Sequence, residues 1–211
     1  MITTTNLVII AVTVLVSLMC FKDRTLFYKL SLNPYDIVHR KQWYRIVTHG
    51  FVHGDTMHLL INMLVLWSFG TNIELRLQYL AAEGYIGNAA VNYSVLYLGA
   101  LIFASIPDVY KYKDNVYYNS IGASGAVSAV VFASIFFDPW SNIYFMAILP
   151  VPSIIFGGLY IWYSQYMDRR GGGNINHRAH IWGAVFGLFF PVIMEPGLIY
   201  HFIHSLVRLP F

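Results

Sequence analysis

Four polar side chains that could do chemistry together stand in the opening turns of apolar stretches: His58, Asn62, Ser124 and His180. Ser124 lies in Gly122-Ala123-Ser124-Gly125-Ala126, where small residues let other helices and a substrate backbone come close. A serine hydroxyl becomes a useful nucleophile when an imidazole takes its proton, and His180 is the base on offer. His58 and Asn62 are at i and i+4 and project from one helix face. With the Ser124 backbone N–H at a helix start, they could hold the oxyanion of an acyl-transfer intermediate. Rival chemistries lack their residues: no aspartate falls within an apolar block, no His-Glu-x-x-His occurs, and Lys22, Lys29, Lys41, Lys111 and Lys113 all lie outside the blocks. A paired-aspartate site, a zinc site of the usual helical kind and a serine–lysine dyad are thereby excluded.

Each signal alone also has a plainer meaning. Residues 122–126 read as a close-packing patch, and they are not the Gly-x-Ser-x-Gly elbow of soluble hydrolases, since position 126 is alanine. His58 with Asn62 reads equally well as a satisfied interhelical pair. His180 with Gly183 and Gly187 reads as a small-residue packing face carrying an interfacial histidine. His49 and His53 could join His58 around a metal, but loop stabilisation is the simpler role. Arg45 reads as a structural clamp and Trp43 as an interface anchor. The joint pattern is stronger than its parts.

The elements that must position these residues are membrane helices. Of 211 residues, 57% are hydrophobic and 11% charged, against about 25% charged in a typical soluble domain. Six apolar blocks, 7–21, 57–79, 89–106, 121–137, 152–166 and 179–194, are close to the length needed to cross a bilayer. Because a spanning chain must satisfy its backbone internally, and the pattern is not the alternation of a barrel, the expectation is an all-α membrane protein. It forms one domain over residues 1–211, with its core at 40–195. The first block has no preceding Lys or Arg and no following cleavage site, so it reads as a retained span. Cys20 is the sole cysteine, and the net charge of +3 is small and scattered. Neither a disulfide nor a nucleic-acid partner is expected. The connection 22–56 mixes basic and aromatic residues and reads as a loop lying on the membrane surface. Blocks two, four and six start on the same face, so His58, Ser124 and His180 can share one depth. The expected kink in block six is at Pro191, and Pro152 is expected at the first helical position of block five.

The set Trp-Tyr-Arg at 43–45, His49, His53, His58 and Asn62, then Gly-Ala-Ser-Gly at 122–125 and Ala-His-x-x-Gly-x-x-x-Gly at 179–187, resembles the rhomboid family of intramembrane serine proteases. The resemblance covers roughly residues 40–190. It implies a six-transmembrane-helix bundle with a membrane-lying first loop, a Ser124–His180 dyad, and an oxyanion hole of His58, Asn62 and the Ser124 amide. It further implies supporting roles for Gly122, Gly125, Gly183 and Arg45, and a structural pair in Gly70 and Glu74. Ser128 departs from those members that carry a tyrosine there against the histidine ring, so another aromatic is expected to pack on His180. No metal and no cofactor are implied. The expected substrates are single-span membrane proteins, cut within or near the span where the helix unwinds readily, with lateral entry past the fifth helix. The alternatives are a catalytically inactive relative that binds membrane clients, and a small-solute carrier; the presence of both Ser124 and His180 speaks against the first.

Family layout places the protein in a plasma (inner) membrane with the site facing the extracytoplasmic side. The charges argue the other way. Eleven of the thirteen Lys and Arg residues fall on the site side and only Arg76 and Arg208 on the other, which by the positive-inside rule turns the site toward the cytoplasm.

Overall fold

The computed structural model describes residues 3–145, 148–171, 173 and 175–208. Its first helix is inside out by the standards of a soluble protein. Along α1 (Thr4–Lys22) the buried residues are Asn6, Thr13, Ser17 and Cys20, one stripe at helical spacing. Leu7, Val8, Leu15 and Leu18 face outward. Apolar side chains remain outside only where the surroundings are themselves apolar. The same arrangement recurs on later helices, with Leu60, Ile61, Leu64 and Trp67 exposed on one and Leu159 and Trp162 on another. Two helices, α1 and the one over Ala89–Tyr112, are by themselves long and apolar enough to cross a bilayer.

After α1, the first connection folds into three short helices, α2 (Arg24–Leu30), α3 (Pro34–His39) and α4 (Arg45–Thr48), and a 3-10 turn over His49–Phe51. Arg45 holds this connection together. Its guanidinium donates to the carbonyls of Tyr28 and Ser31 at 2.6 and 2.8 Å and to Gln42 Oε1 at 2.6 Å, and it pairs with Asp36 at 3.1 Å. Thr48 Oγ1 donates to the Leu30 carbonyl at 2.8 Å. The carbonyls left over at the end of α2 are thus satisfied by side chains of α4.

Five long helices follow: α5 (Thr56–Ala82), α6 (Ala89–Tyr112), α7 (Ser124–Phe137), α8 (Ser153–Arg170) and α9 (His177–Met194). α7 is the axis of the molecule, with twelve of its fourteen residues buried. It can be so short, about 21 Å, because the others enclose it. Gly183 and Gly187 of α9 face the backbone of Gly125 and Ala129 with no room for a Cβ. At the end remote from Ser124, Glu74 of α5 accepts the Thr5 and Asn6 N–H groups, both at 2.9 Å. A carboxylate at a helix N-terminus is favoured by both charge and hydrogen bonding. Gly70 makes room for Asn6, whose Oδ1 accepts from the Tyr93 hydroxyl at 2.8 Å. Gly70 and Glu74 therefore form the structural pair expected.

The expected boundaries need correction. An antiparallel pair, β1 (Asn142–Phe145) and β2 (Leu149–Pro152), joins α7 to α8, so the described chain is not wholly α. Pro152 closes β2 and precedes the first residue of α8 instead of opening the helix. α6 runs through Pro107 to Tyr112 and carries Asp108 inside it, buried, where no aspartate was expected within a span. α8 likewise extends to include Asp168, and α9 begins at His177. Residues 121–123 are not helical, so the fourth helix opens on Ser124 itself. A last helix, α10 (Leu198–Val207), was not foreseen; Phe202 stacks on Phe136 with centroids 4.9 Å apart, and Trp140 Nε1 donates to the Leu206 carbonyl at 3.1 Å.

Candidate functional site

Three helix starts meet on one side of the molecule, and local capping sets the residue on which each begins. Asp55 accepts the His58 N–H at 2.8 Å and starts α5, so His58 lies in its first turn. Asn176 Oδ1 accepts the Ala179 N–H at 3.1 Å and starts α9, so His180 lies in its first turn. α7 differs: Ala123 precedes it and offers no side-chain cap. The N–H groups of a helix's first turn have no partner within the helix. At Ser124 they sit at the positive end of the helix, where an anion is favoured.

The segment before Ser124 is fixed by histidines of the first connection. Gly122 N–H donates to the His49 carbonyl at 2.9 Å, and Ala123 N–H to His53 Nε2 at 3.4 Å. Ser17 Oγ donates to the Phe51 carbonyl at 2.9 Å, so it accepts from His53 Nδ1, also 2.9 Å away. His53 is then the Nδ1–H tautomer and spends both ring nitrogens on structure. His49 Nδ1 lies 3.0 Å from the Arg45 carbonyl. Burial pushes both imidazoles toward the neutral form, His49 down to about 4 and His53 to about 3, the His58 ring adding to the effect at His53. These two act as loop stabilisers, the simpler of the roles considered.

Gly122 has φ +107, in the region that disfavours side chains, and a Cβ there would meet His58 Cε1 at 2.8 Å. The His58 ring thus lies directly on the segment leading into Ser124, and edge-on to His53 with centroids 4.9 Å apart. Asn62 is buried one turn below and donates to the His58 carbonyl at 2.8 Å. Gly125 faces the Ala179 carbonyl and Gly183 faces Gly125, which brings the start of α9 against the start of α7. Arg45 stands apart from this group, in its clamp.

Among the described residues no direct hydrogen bond joins Ser124 to His180. They are linked at one remove. Ser128 Oγ donates to the Ser124 carbonyl at 2.8 Å and lies 2.6 Å from the Tyr160 hydroxyl, and the Tyr160 ring stacks on His180, centroids 6.0 Å apart and planes within 18°. The aromatic expected on His180 is therefore Tyr160 of α8. His177 packs edge-on to His180 with centroids 5.7 Å apart.

Beside Ser124 is a cavity of about 10 Å³ whose polar lining includes Ser105, Asp108, Ser120 and Asn176. That is room for about one water molecule. Asn176 donates to Asp108, Tyr118 donates to the same carboxylate at 2.7 Å, and Arg178 bridges Asp108 at 3.7 Å and Asp168 at 3.2 Å. Sequence reading missed this network. Its signal was the pairing of lone charges at block edges, Asp108, Asp168 and Arg178, each of which needs a partner if the helices are longer than their apolar runs.

Helices that keep apolar side chains on their outer faces, gathered around a serine at the start of the buried helix, fit a membrane protein with a small polar site set in an apolar core. Comparison with known sequences names its class. The rhomboid-domain family profile matches residues 40–196. The chain belongs to the rhomboid family. It is 32% identical over 145 residues to RHOMBOID-like protein 12, mitochondrial, of Arabidopsis thaliana, covering 66% of this chain and 43% of that one. It is 28% identical over 151 residues to Rhomboid protein 1, mitochondrial, of Saccharomyces cerevisiae, covering 69% and 40%. With the presenilin-associated rhomboid-like protein, mitochondrial, of Rattus norvegicus it shares 31% over 146 residues, 66% and 35% of the two chains. The chain thus matches less than half the length of each of these relatives.

These relatives overturn one expectation. Placement in a plasma (inner) membrane, with the site facing the extracytoplasmic side, rested on the layout of bacterial rhomboids, whereas the three relatives named above are mitochondrial proteins.

Proposed function

We propose that the protein is an intramembrane serine endopeptidase that cuts single-span membrane proteins, with Ser124 as nucleophile and His180 as general base. α1 and α5 to α9 are its six spans, and a mitochondrial membrane is its location. The observation that carries this reading is the meeting of Ser124, at the uncapped start of the buried helix α7, with the start of α9, which Gly125 and Gly183 bring close.

In the reaction, His180 takes the Ser124 hydroxyl proton as Oγ attacks the scissile carbonyl. The oxyanion that forms is met by the Ser124 N–H, the His58 ring and the second amide proton of Asn62. The imidazolium then returns its proton to the leaving amine, and a water activated by His180 cleaves the acyl-enzyme. The pocket beside Ser124 supports a nearby reservoir for that water. The hydroxyl and the imidazole are not bonded at rest; such contacts commonly tighten only when substrate is bound. A substrate helix hides its carbonyls, so the segment cut must unwind, which weak helix formers favour.

The resting gap between Ser124 and His180 also favours a second reading, a client-binding relative without activity. One experiment separates the two. The purified chain should be labelled by a fluorophosphonate at Ser124 and should cleave a single-span substrate, with both activities falling about 10³-fold or more in Ser124→Ala and His180→Ala. Cleavage that survives in Ser124→Ala would falsify the protease reading, and a wild type that neither labels nor cleaves establishes the binding one.

A further inference from the structure

Resting on the dyad reading, we infer that Tyr160 is the residue that positions His180, and that it does so from α8 by the stacking of its ring. The Ser128 hydroxyl has one proton, given to the Ser124 carbonyl at 2.8 Å, so the Tyr160 hydroxyl is the donor in the 2.6 Å contact with Ser128 Oγ. This bond anchors the hydroxyl end of the ring, and packing sets its plane. Phe132 and Phe156 pack on the other sides of the ring at 5.8 and 6.1 Å. The remaining face lies on His180, nearly parallel at 18°. No acidic residue hydrogen-bonds the His180 ring among the described residues, so ring packing sets its plane, with Tyr160 covering a face and His177 meeting it edge-on. Position 128, one turn after the nucleophile, cannot supply that ring because it is serine. The tyrosine is therefore a positioning residue: it touches the base, not the reacting carbonyl.

Three variants of the full chain, purified in detergent, test this with a fluorophosphonate and a single-span substrate. Tyr160→Phe keeps the ring and loses the hydroxyl. Tyr160→Leu fills the space without a ring. Tyr160→Leu with Ser128→Tyr returns a ring from α7. A misplaced base costs about 10²-fold, so Tyr160→Leu should lose about that much in kcat and in labelling rate, with KM within about 2-fold of wild type. Tyr160→Phe should lose less than about 5-fold, and Ser128→Tyr should recover at least about 10-fold of the Tyr160→Leu loss. The inference is overturned if Tyr160→Leu keeps wild-type kcat and labelling, if it raises KM alone, or if Tyr160→Phe is as poor as Tyr160→Leu. Should Tyr160→Leu fail to fold, the Tyr160→Phe labelling rate decides by the same limit. A labelled wild type with an indifferent Tyr160→Leu sinks this inference alone, whereas a wild type unlabelled at Ser124 sinks the dyad and this inference with it.

Discussion

At the scale of single residues, the stringent positions are those where backbone and side chain constrain each other. Gly122 combines φ +107 with the His58 ring at the place a Cβ would occupy. Gly122→Ala should cost about 1–2 kcal/mol of backbone strain and push His58 off the segment before Ser124. The expected outcome is a labelling rate at Ser124 lowered by about 10²-fold with the fold retained, the weaker end of the range for losing one oxyanion donor. His49 and His53 make a prediction about pH. Each is held neutral in the folded protein, at about 4 and about 3, while the unfolded chain takes up protons below about 6.5. Their contribution is therefore complete above 6.5 and is lost as pH falls, by about 2 kcal/mol each at pH 5. The melting temperature should drop between pH 7 and 5, and a His49→Gln, His53→Gln variant should show a flatter slope. Residue types and spacing in the sequence were enough to single out Ser124, His180, His58 and Asn62. They could not identify Tyr160, because a stacking partner from another helix leaves no trace in local spacing, and one aromatic among thirty-six looks like any other.

At the scale of elements, the junction of α7 and α9 carries the most consequence. Gly183 and Gly187 leave no space for a methyl group against the α7 backbone. Gly183→Ala should force the helices apart, lower stability by about 1–3 kcal/mol and slow labelling, since the start of α9 moves away from Ser124. Gly158→Ala, which meets nothing within 4 Å, should leave both unchanged; matched thermal melts and labelling rates check the contrast. The Arg45 clamp is a second junction. Arg45→Ala leaves Asp36 with Arg40 alone and the carbonyls of Tyr28 and Ser31 without their donor, so a loss of about 3 kcal/mol is expected, with Arg45→Lys recovering only part because an ammonium cannot reproduce the planar fork. Hydropathy marked each long helix but misplaced its ends. Apolar runs stop at the first charge, whereas α6 and α8 continue because Asp108 and Asp168 meet Arg178. The β1–β2 pair was hidden for a related reason: its apolar and proline residues read as the approach to a span.

Across the whole molecule, the apolar exterior was the most legible property, because it follows from composition alone. Orientation and address were not. They depend on which membrane receives the chain, and residue counts speak only to the sides of that membrane. An epitope-tagged chain expressed in yeast should co-fractionate with mitochondria and resist carbonate extraction; recovery in the plasma-membrane fraction would count against the proposed location. One architectural detail bears on how such a protein would keep its peptide cutting under control. α8 buries only Ser153, Gly157 and Ser164 along its eighteen residues, yet it bears the tyrosine laid against His180. The least embedded of the long helices is thus the one that backs the imidazole. Under the proposed activity, an outward swing of α8 would strip the imidazole of its backing, so admission and scission would become successive events, and a client that slipped in without letting the door shut behind it would leave uncut.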